Sequence, residues 1–494
     1  MIAGEASRRA IASADDRVLL ISAPDGRSVT GREVEAETAG LALALQREGL
    51  AGRRVGLWSW NSVAAIEAHL AVEWTGGTRV PVDPGAPPAE AAAIFKAAEV
   101  AGVVVDASHA ADAPPGSLVH DDQAPLSAPG TLATREVRPA ATHLLYPRMA
   151  AEGQFLAVPV SYANWAACMF VNAELYRSGH YGDGFDADER FLTVQQIMHG
   201  TGMLGTFPFL DMGLPQVILP RFDAAAVLET ARRYRATATF FVPGMVTRLA
   251  DAVAGAGLPD AGPLRRILYG GAPITATDLN RAIGILGPVL VQVYGRFEGG
   301  WPLAVLGTDD HEDLVRQATH AGSCGHPIPQ TELRIRPVPG HDPGWGELCV
   351  RNGMVVADWA DPDGWCGLGD LARLDDDGYL YLGGRLDGMI NTGSYHVYPR
   401  EVEQALTALP QVQAALVRGE DDATWGQAVT AYVVPSSARS AELGTSGSAK
   451  AEAEPEAVAD AELAEVIRAA LRHRLAAYKI PKRVILVSSL DDVP

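Results

Sequence analysis

DGWCGLGDLARLDDDGYLYLGGRLDGMINTGSYHVYPREVE, residues 363–403, joins two kinds of chain. Its first half sets short apolar runs at Leu371–Leu374 and Tyr379–Leu382 on either side of Asp376-Asp377-Gly378. That is the pattern of an antiparallel hairpin with a tight turn. The hairpin separates Asp370 from Arg385, so the two can meet on one edge of it. After Asp387 the texture changes to that of a smaller unit. A helix is expected from Pro399, with Val402, Ala405, Leu406 and Leu409 on one face, followed by strands at Ala414–Arg418 and Val429–Val434. A second amphipathic helix is expected at 461–477, with Leu463, Val466, Ile467, Ala470 and Leu471 on one face. Between them, PSSARSAELGTSGSAKAEAEPEAVAD (435–460) has the composition of a mobile surface insertion.

Upstream of about Gly322 the chain alternates β-type runs with Ala-rich helical stretches. Val55–Trp60, Thr78–Val82 and Gly102–Asp106 read as strands, with helices at Ser62–Trp74 and Pro88–Val100. The pattern resumes at Gln216–Leu219, Ala224–Tyr234, Thr239–Val242, Met245–Ala252, Arg266–Leu268, Thr277–Ile285 and Val289–Val293. Alternation at this spacing means βαβ units and a largely parallel sheet. Two Gly-rich turns follow predicted strands. LRRILYGGAPIT (264–275) places Gly270-Gly271 at a strand's C-terminal end, where open α/β sheets bind ligands. VQVYGRFEGG (291–300) does the same with Tyr294-Gly295 and carries the carboxylate of Glu298.

Composition narrows the function. The 494 residues allow two to four domains at roughly 100–200 residues each. Forty Lys+Arg against sixty Asp+Glu give a formal charge of −20, which argues against nucleic acid or an anionic membrane as partner. Cys168, Cys324, Cys349 and Cys366 fall in no CxxC spacing, so neither zinc nor a disulfide framework is expected and a reducing cytoplasm fits. No apolar run reaches the length of a membrane span, and the N-terminus lacks the apolar core of a signal peptide. GxGxxG, Walker-type, GxSxG and HExxH motifs are absent.

The Gly-rich segments, in this order, resemble the adenylate-forming superfamily of acyl/aryl-CoA synthetases, adenylation domains and luciferases. The likeness extends through GRRVGLWSWNS (52–62), TGGTRVPVDPGAPP (75–88), VPVSYANW (158–165), QQIMHGTG (195–202), GSCGHPIP (322–329), GELCVRNG (346–353) and YKIPKRVIL (478–486). It implies a large N-terminal α/β domain (1–386), containing parallel subdomains and a small antiparallel one. A small α+β C-terminal domain (388–494) would follow a hinge at Asp387. It further implies an adenine site at Gly270, Gly271, Ala272, Pro273, Tyr294 and Gly295. Asp370 would accept the ribose hydroxyls, and Arg385 would reach the ribose and phosphate. Glu298 would hold Mg²⁺, His199 would gate an acyl pocket, and Gly393, Ser394 and Tyr395 would border a pantetheine tunnel. Trp165, His199 and Tyr269, read as pocket residues, suggest an aryl or short acyl group. The implied partners are a small carboxylic acid or its acyl-adenylate, ATP or AMP, and CoA or the phosphopantetheine of a carrier protein.

The departures are concentrated. The superfamily's phosphate loop is a Ser/Thr/Gly run ending in Pro-Lys, whereas YPRMAAEGQFLAV (146–158) has no Ser, Thr or Lys and carries Glu152. The family's Thr-Gly-Asp reads Leu368-Gly369-Asp370. The family's catalytic lysine follows a PKxV strand at a distance that lies past Pro494. All three departures touch triphosphate binding or adenylation. They leave open an ATP-dependent acid ligase, an acyltransferase acting on a preformed activated acid, and a non-catalytic nucleotide- or acyl-CoA-binding protein.

Overall fold

The structure, a computed structural model, describes residues 1–149, 155–182, 188–272, 274, 276–311, 320, 322–339, 343–386, 388–393, 395–436, 454–487, 490 and 493. The chain forms two compact units. One comprises Met1–Pro84, Phe95–Pro147 and Ala157–Leu386; the other comprises Gly85–Ile94, Arg148–Leu156 and Asp387–Pro494. The sequence boundaries do not anticipate the two short upstream segments of the second unit. Among the described residues, no helix is long and apolar enough to cross a membrane.

The larger unit is built around a nine-stranded sheet. Its central strands run parallel in the order Leu290–Arg296, Arg266–Gly270, Ala238–Phe241, Phe191–Thr193, Gln216–Ile218 and Val18–Ser22. Antiparallel strands flank them, Gly300–Leu306 and His326–Pro327 at one edge and Ser28–Thr30 at the other. In a six-stranded sheet, Arg54–Trp58 lies parallel between Gly102–Val105 and Thr78–Pro81. Every residue of the helix Val63–Trp74 is buried, the state expected of an apolar helix covered on all sides. Two side chains cap it: Ser62 Oγ accepts Ala65 N at 2.9 Å and Asp122 Oδ1 accepts Ala64 N at 2.7 Å. A four-stranded antiparallel sheet, Glu332–Pro337, Gly346–Arg351, Cys366–Leu374 and Leu380–Arg385, completes this unit.

In the second unit, Val412–Asp422 and Gly426–Pro435 form a long hairpin, and Arg483–Leu486 joins it in parallel. The helix Pro399–Thr407 packs Val402 and Leu406 into a core shared with Val417, Val429 and Ile467. The helix expected at 461–477 spans Glu454–Leu471, and Val466, placed on its apolar face by the sequence, is 50% exposed. The tail of the expected insertion, residues 454–460, is therefore helical. Ala and Glu are strong helix formers, and their propensity outweighs the low-complexity reading there. Residues 437–453 of that insertion lie outside the described residues. Lys479, 5% exposed, donates to Glu90 and Glu401 at 2.6 Å each.

Candidate functional site

The Gly-rich turns converge on one end of the nine-stranded sheet. Arg266–Gly270 runs parallel to Leu290–Arg296 with Gly270 opposite Val293, which brings Gly271 and Ala272 alongside Tyr294. Only glycine fits here: a Cβ at Gly270 would collide with the Val293 carbonyl oxygen, and Gly271 has φ +85°. Pro273 lies outside the described residues. A Cβ at Gly295 would enter the Trp301 ring.

Tyr294 and the hairpin meet at Asp370. The Asp376-Asp377-Gly378 turn pairs Leu374 with Leu380, and a register shift between Leu371 and Ala372 then sets Asp370 opposite Arg385. The Tyr294 hydroxyl donates to Asp370 Oδ2 at 2.6 Å, and Arg385 Nη1 donates to Asp370 Oδ1 at 3.0 Å and to the Leu368 carbonyl at 2.6 Å. Asp370 is 6% exposed. Burial, reinforced by the Asp370 carboxylate, pushes the Tyr294 hydroxyl well up, so it stays a proton donor at neutral pH. A carboxylate has about four acceptor positions; two are used here, which leaves capacity for a diol.

Glu298 is buried, with Oε1 3.4 Å from Arg296 Nη2, and its carbonyl accepts Val356 N at 2.9 Å. Among the described residues no group of three or more His, Cys, Asp or Glu could hold a metal. A single hard carboxylate still suits Mg²⁺, which keeps waters and substrate phosphates as its other ligands. Arg148 and Glu152 of the divergent loop carry no described side chains.

His199 precedes the helix Gly200–Asp211 as its N-cap residue but makes no side-chain cap. Its Nε2 lies 3.0 Å from Asp83 Oδ2. The structure does not bring Trp165 and Tyr269 together with it. Trp165 is buried beneath the Arg79 guanidinium, 4.4 Å from the ring centroid. Tyr269 is fully buried in a separate apolar cluster, its hydroxyl 3.0 Å from Gln292 Oε1 and 2.9 Å from His311 Nε2. Beside His199 stands instead an aromatic pair that the sequence reading did not single out. Phe297 stacks on Tyr146 with centroids 4.1 Å apart, and its ring abuts Gly200 so closely that no Cβ would fit. Phe297 lies within VQVYGRFEGG, but no local signal couples it to Tyr146 or Gly200.

Asp387 and Ser394 lie outside the described residues. In the second unit, Gly393 has φ +57° and its N–H donates to the Trp425 carbonyl at 2.8 Å. Tyr395 stacks on Tyr478 at 4.3 Å.

The chain matches the AMP-binding enzyme family over residues 7–150 and 156–357, and the AMP-binding enzyme C-terminal domain over 401–493. The medium/long-chain-fatty-acid–CoA ligase FadD8 of Mycobacterium tuberculosis is 33% identical over 318 residues, which cover 62% of this chain and 52% of that protein. The indoleacetate–CoA ligase of Aromatoleum aromaticum is 33% identical over 321 residues, 62% of this chain and 57% of that protein. The chain thus spans little more than half the length of these relatives. The amide bond synthetase McbA from Marinactinospora thermotolerans superimposes with a TM-score of 0.80 at 30% identity, over 98% of this chain and 96% of that one.

Proposed function

The chain belongs to the AMP-binding enzyme family, and from that membership we propose that it activates a carboxylic acid as its adenylate and passes the acyl group to a thiol. The observation that carries this reading is the Tyr294–Asp370–Arg385 cluster beside the Gly270-Gly271 turn. It supports binding of an adenosine ribose: acceptors for two hydroxyls, a cation within reach of one phosphate, and a glycine turn against which a flat base can lie. Glu298 would hold Mg²⁺, which when bound neutralises charge on the substrate phosphate. Arg385 would orient the same phosphate, and the residues around His199 would seat the acid. CoA or a carrier-protein phosphopantetheine would approach by Gly393, Ser394 and Tyr395, after rotation at Asp387.

The aromatic pair Tyr146–Phe297, packed on Gly200 beside His199, supports an aryl acid as substrate. Flat rings stack on such a platform with more than their area of burial, and the relative from Aromatoleum is named for the aromatic acid indoleacetate.

A second reading is favoured by the sequence of the phosphate-loop segment. With no Ser, Thr or Lys in 146–158, the chain would take a preformed acyl-adenylate and catalyse only the transfer. A loop making about three charge-assisted hydrogen bonds, at about 1.5–3 kcal/mol each, is worth roughly 5–9 kcal/mol toward a triphosphate. An acyl-adenylate carries one phosphate and forgoes little of that. Acid-dependent release of pyrophosphate from ATP decides between them. Release at ordinary ligase rates supports the first reading. Its absence, with single-turnover transfer from a supplied acyl-adenylate to CoA, supports the second. Failure of both overturns the enzyme reading.

A further inference from the structure

The turn that ends the strand Thr78–Pro81 is fastened on both sides. Val82 N donates to the Leu57 carbonyl at 2.9 Å, and the Trp58 indole N–H donates to the Asp83 carbonyl at 3.1 Å. One residue on, His109 Nε2 donates to the Pro84 carbonyl at 2.9 Å, while its Nδ1 lies 2.7 Å from Asp106. Both ring nitrogens thus face acceptors, and the Trp58 ring packs on the imidazole at 4.4 Å. The backbone of Asp83 is therefore held, and its carboxylate reaches the His199 ring.

The other partner is held as firmly. Asn61 Nδ2 donates to the Gln195 carbonyl at 2.8 Å and its Oδ1 accepts Ile197 N at 2.9 Å. Gln196 Nε2 donates to the Pro220 carbonyl at 2.7 Å. The His199 carbonyl accepts Met203 N at 2.9 Å as the helix begins. The backbone is thus held at both ends of the pair. Asp83 Oδ2 lies 3.0 Å from Nε2, with the two side chains 17% and 15% exposed.

We propose that Asp83 is a positioning residue for His199: its carboxylate holds the ring in one rotamer with the proton on Nε2, so that in the neutral ring Nδ1 is the acceptor. A carboxylate accepts and cannot donate, so it selects the Nε2–H tautomer over the alternative. The part this plays in acid binding rests on the reading of His199 as a neighbour of the acyl group. The tautomer itself does not.

The test is a long-range ¹⁵N–¹H correlation spectrum of the full chain labelled in its histidines, at mildly alkaline pH, with His199→Gln identifying the signal. The expected wild-type pattern is a protonated Nε2 and an unprotonated Nδ1. Asp83→Ala should convert it to an averaged pattern, and Asp83→Asn, which keeps an acceptor oxygen, should restore it. A wild-type His199 protonated on Nδ1 overturns the proposal even if no variant folds, as does an unchanged pattern in a folded Asp83→Ala. The second readout is calorimetry with AMP and with a non-hydrolysable sulfamoyl analogue of indoleacetyl-AMP. Asp83→Ala should weaken the analogue roughly tenfold or more and leave AMP unchanged. Wild-type protein that binds neither probe yet shows the Nε2–H pattern overturns the acid-activating reading and upholds the Asp83–His199 pair.

Discussion

Asp370→Asn is the substitution that separates a nucleotide site from a structural ion pair. The side chain keeps its volume and one acceptor oxygen, but the charge facing Arg385 disappears and an NH₂ group faces one of two donors, Tyr294 at 2.6 Å or Arg385 at 3.0 Å. One charge-assisted hydrogen bond is lost in a setting only 6% exposed, where solvent screening is small. The loss is about 1.5–3 kcal/mol, and if a ribose diol uses the same carboxylate, AMP affinity falls about ten- to hundredfold. Tyr294→Phe removes one intramolecular donor and leaves the carboxylate charged, so its effect on AMP should be the smaller of the two. Calorimetric titration of AMP into wild type and both variants gives the affinities, and circular dichroism with thermal melting reports whether the fold persists. A purely structural pair predicts a lowered melting temperature with unchanged AMP affinity. That result in a folded Asp370→Asn would refute the assignment.

Proline at 387 would fix φ near −65° between Gly384, at φ +118°, and Gly388, at φ +68°. If Asp387 is the hinge, one half-reaction should fall sharply while the other survives, measured as acyl-adenylate formation and thioester formation separately; equal retention of both would remove the hinge. The fold should also weaken in mild acid. Burial lowers His120, His143 and His311 to about 4, while in the unfolded chain a histidine protonates near its ordinary value of about 6.5. Their contribution is complete above about pH 6.5 and is lost as pH falls toward about 4, at about 1.4 kcal/mol per unit for each group. His311→Gln should flatten that acid limb by one group's share in urea titrations, and an unchanged slope would contradict it.

Local periodicity made some helices legible, although Gly31–Arg47, Tyr162–Arg177 and Gly200–Asp211 were not anticipated and the helix expected at 461–477 spans Glu454–Leu471. Ala224–Tyr234 begins and ends as its apolar spacing and its Asp223 cap dictate, with Asp223 Oδ1 accepting Ala226 N at 2.8 Å. The nearness of Asp370 and Arg385 was legible only in outline, because the register a tight turn fixes would set Asp370 against Gly384, and a shift between Leu371 and Ala372 brings Arg385 opposite instead. Strand ends were not legible. Val412–Asp422 continues through Gly419-Glu420-Asp421 because pairing with Gly426–Pro435 persists beyond the apolar residues. The pocket was the least legible part. Trp165 and Tyr269 are apolar enough for a ligand cavity or a packed interior, and the structure places them in two different interiors. Asp83 and His199 stand 116 residues apart, and no periodicity connects residues brought together only by tertiary folding.

The backbone passes between the two compact units at 84/85, 94/95, 147/148, 156/157 and 386/387. Recombination between relatives meets this before any chemistry does. A cassette cut at 387 looks self-sufficient along the gene, yet it leaves behind ten residues, 85–94, that carry one of the two carboxylates around Lys479. The transplanted lysine then keeps Glu401 and takes whatever the host supplies at position 90. Hosts with an acid there should accept the cassette, and hosts with an apolar or basic residue should yield poorly folded chimeras. The C-terminal piece of this chain is inherited together with a helix turn encoded some three hundred residues upstream.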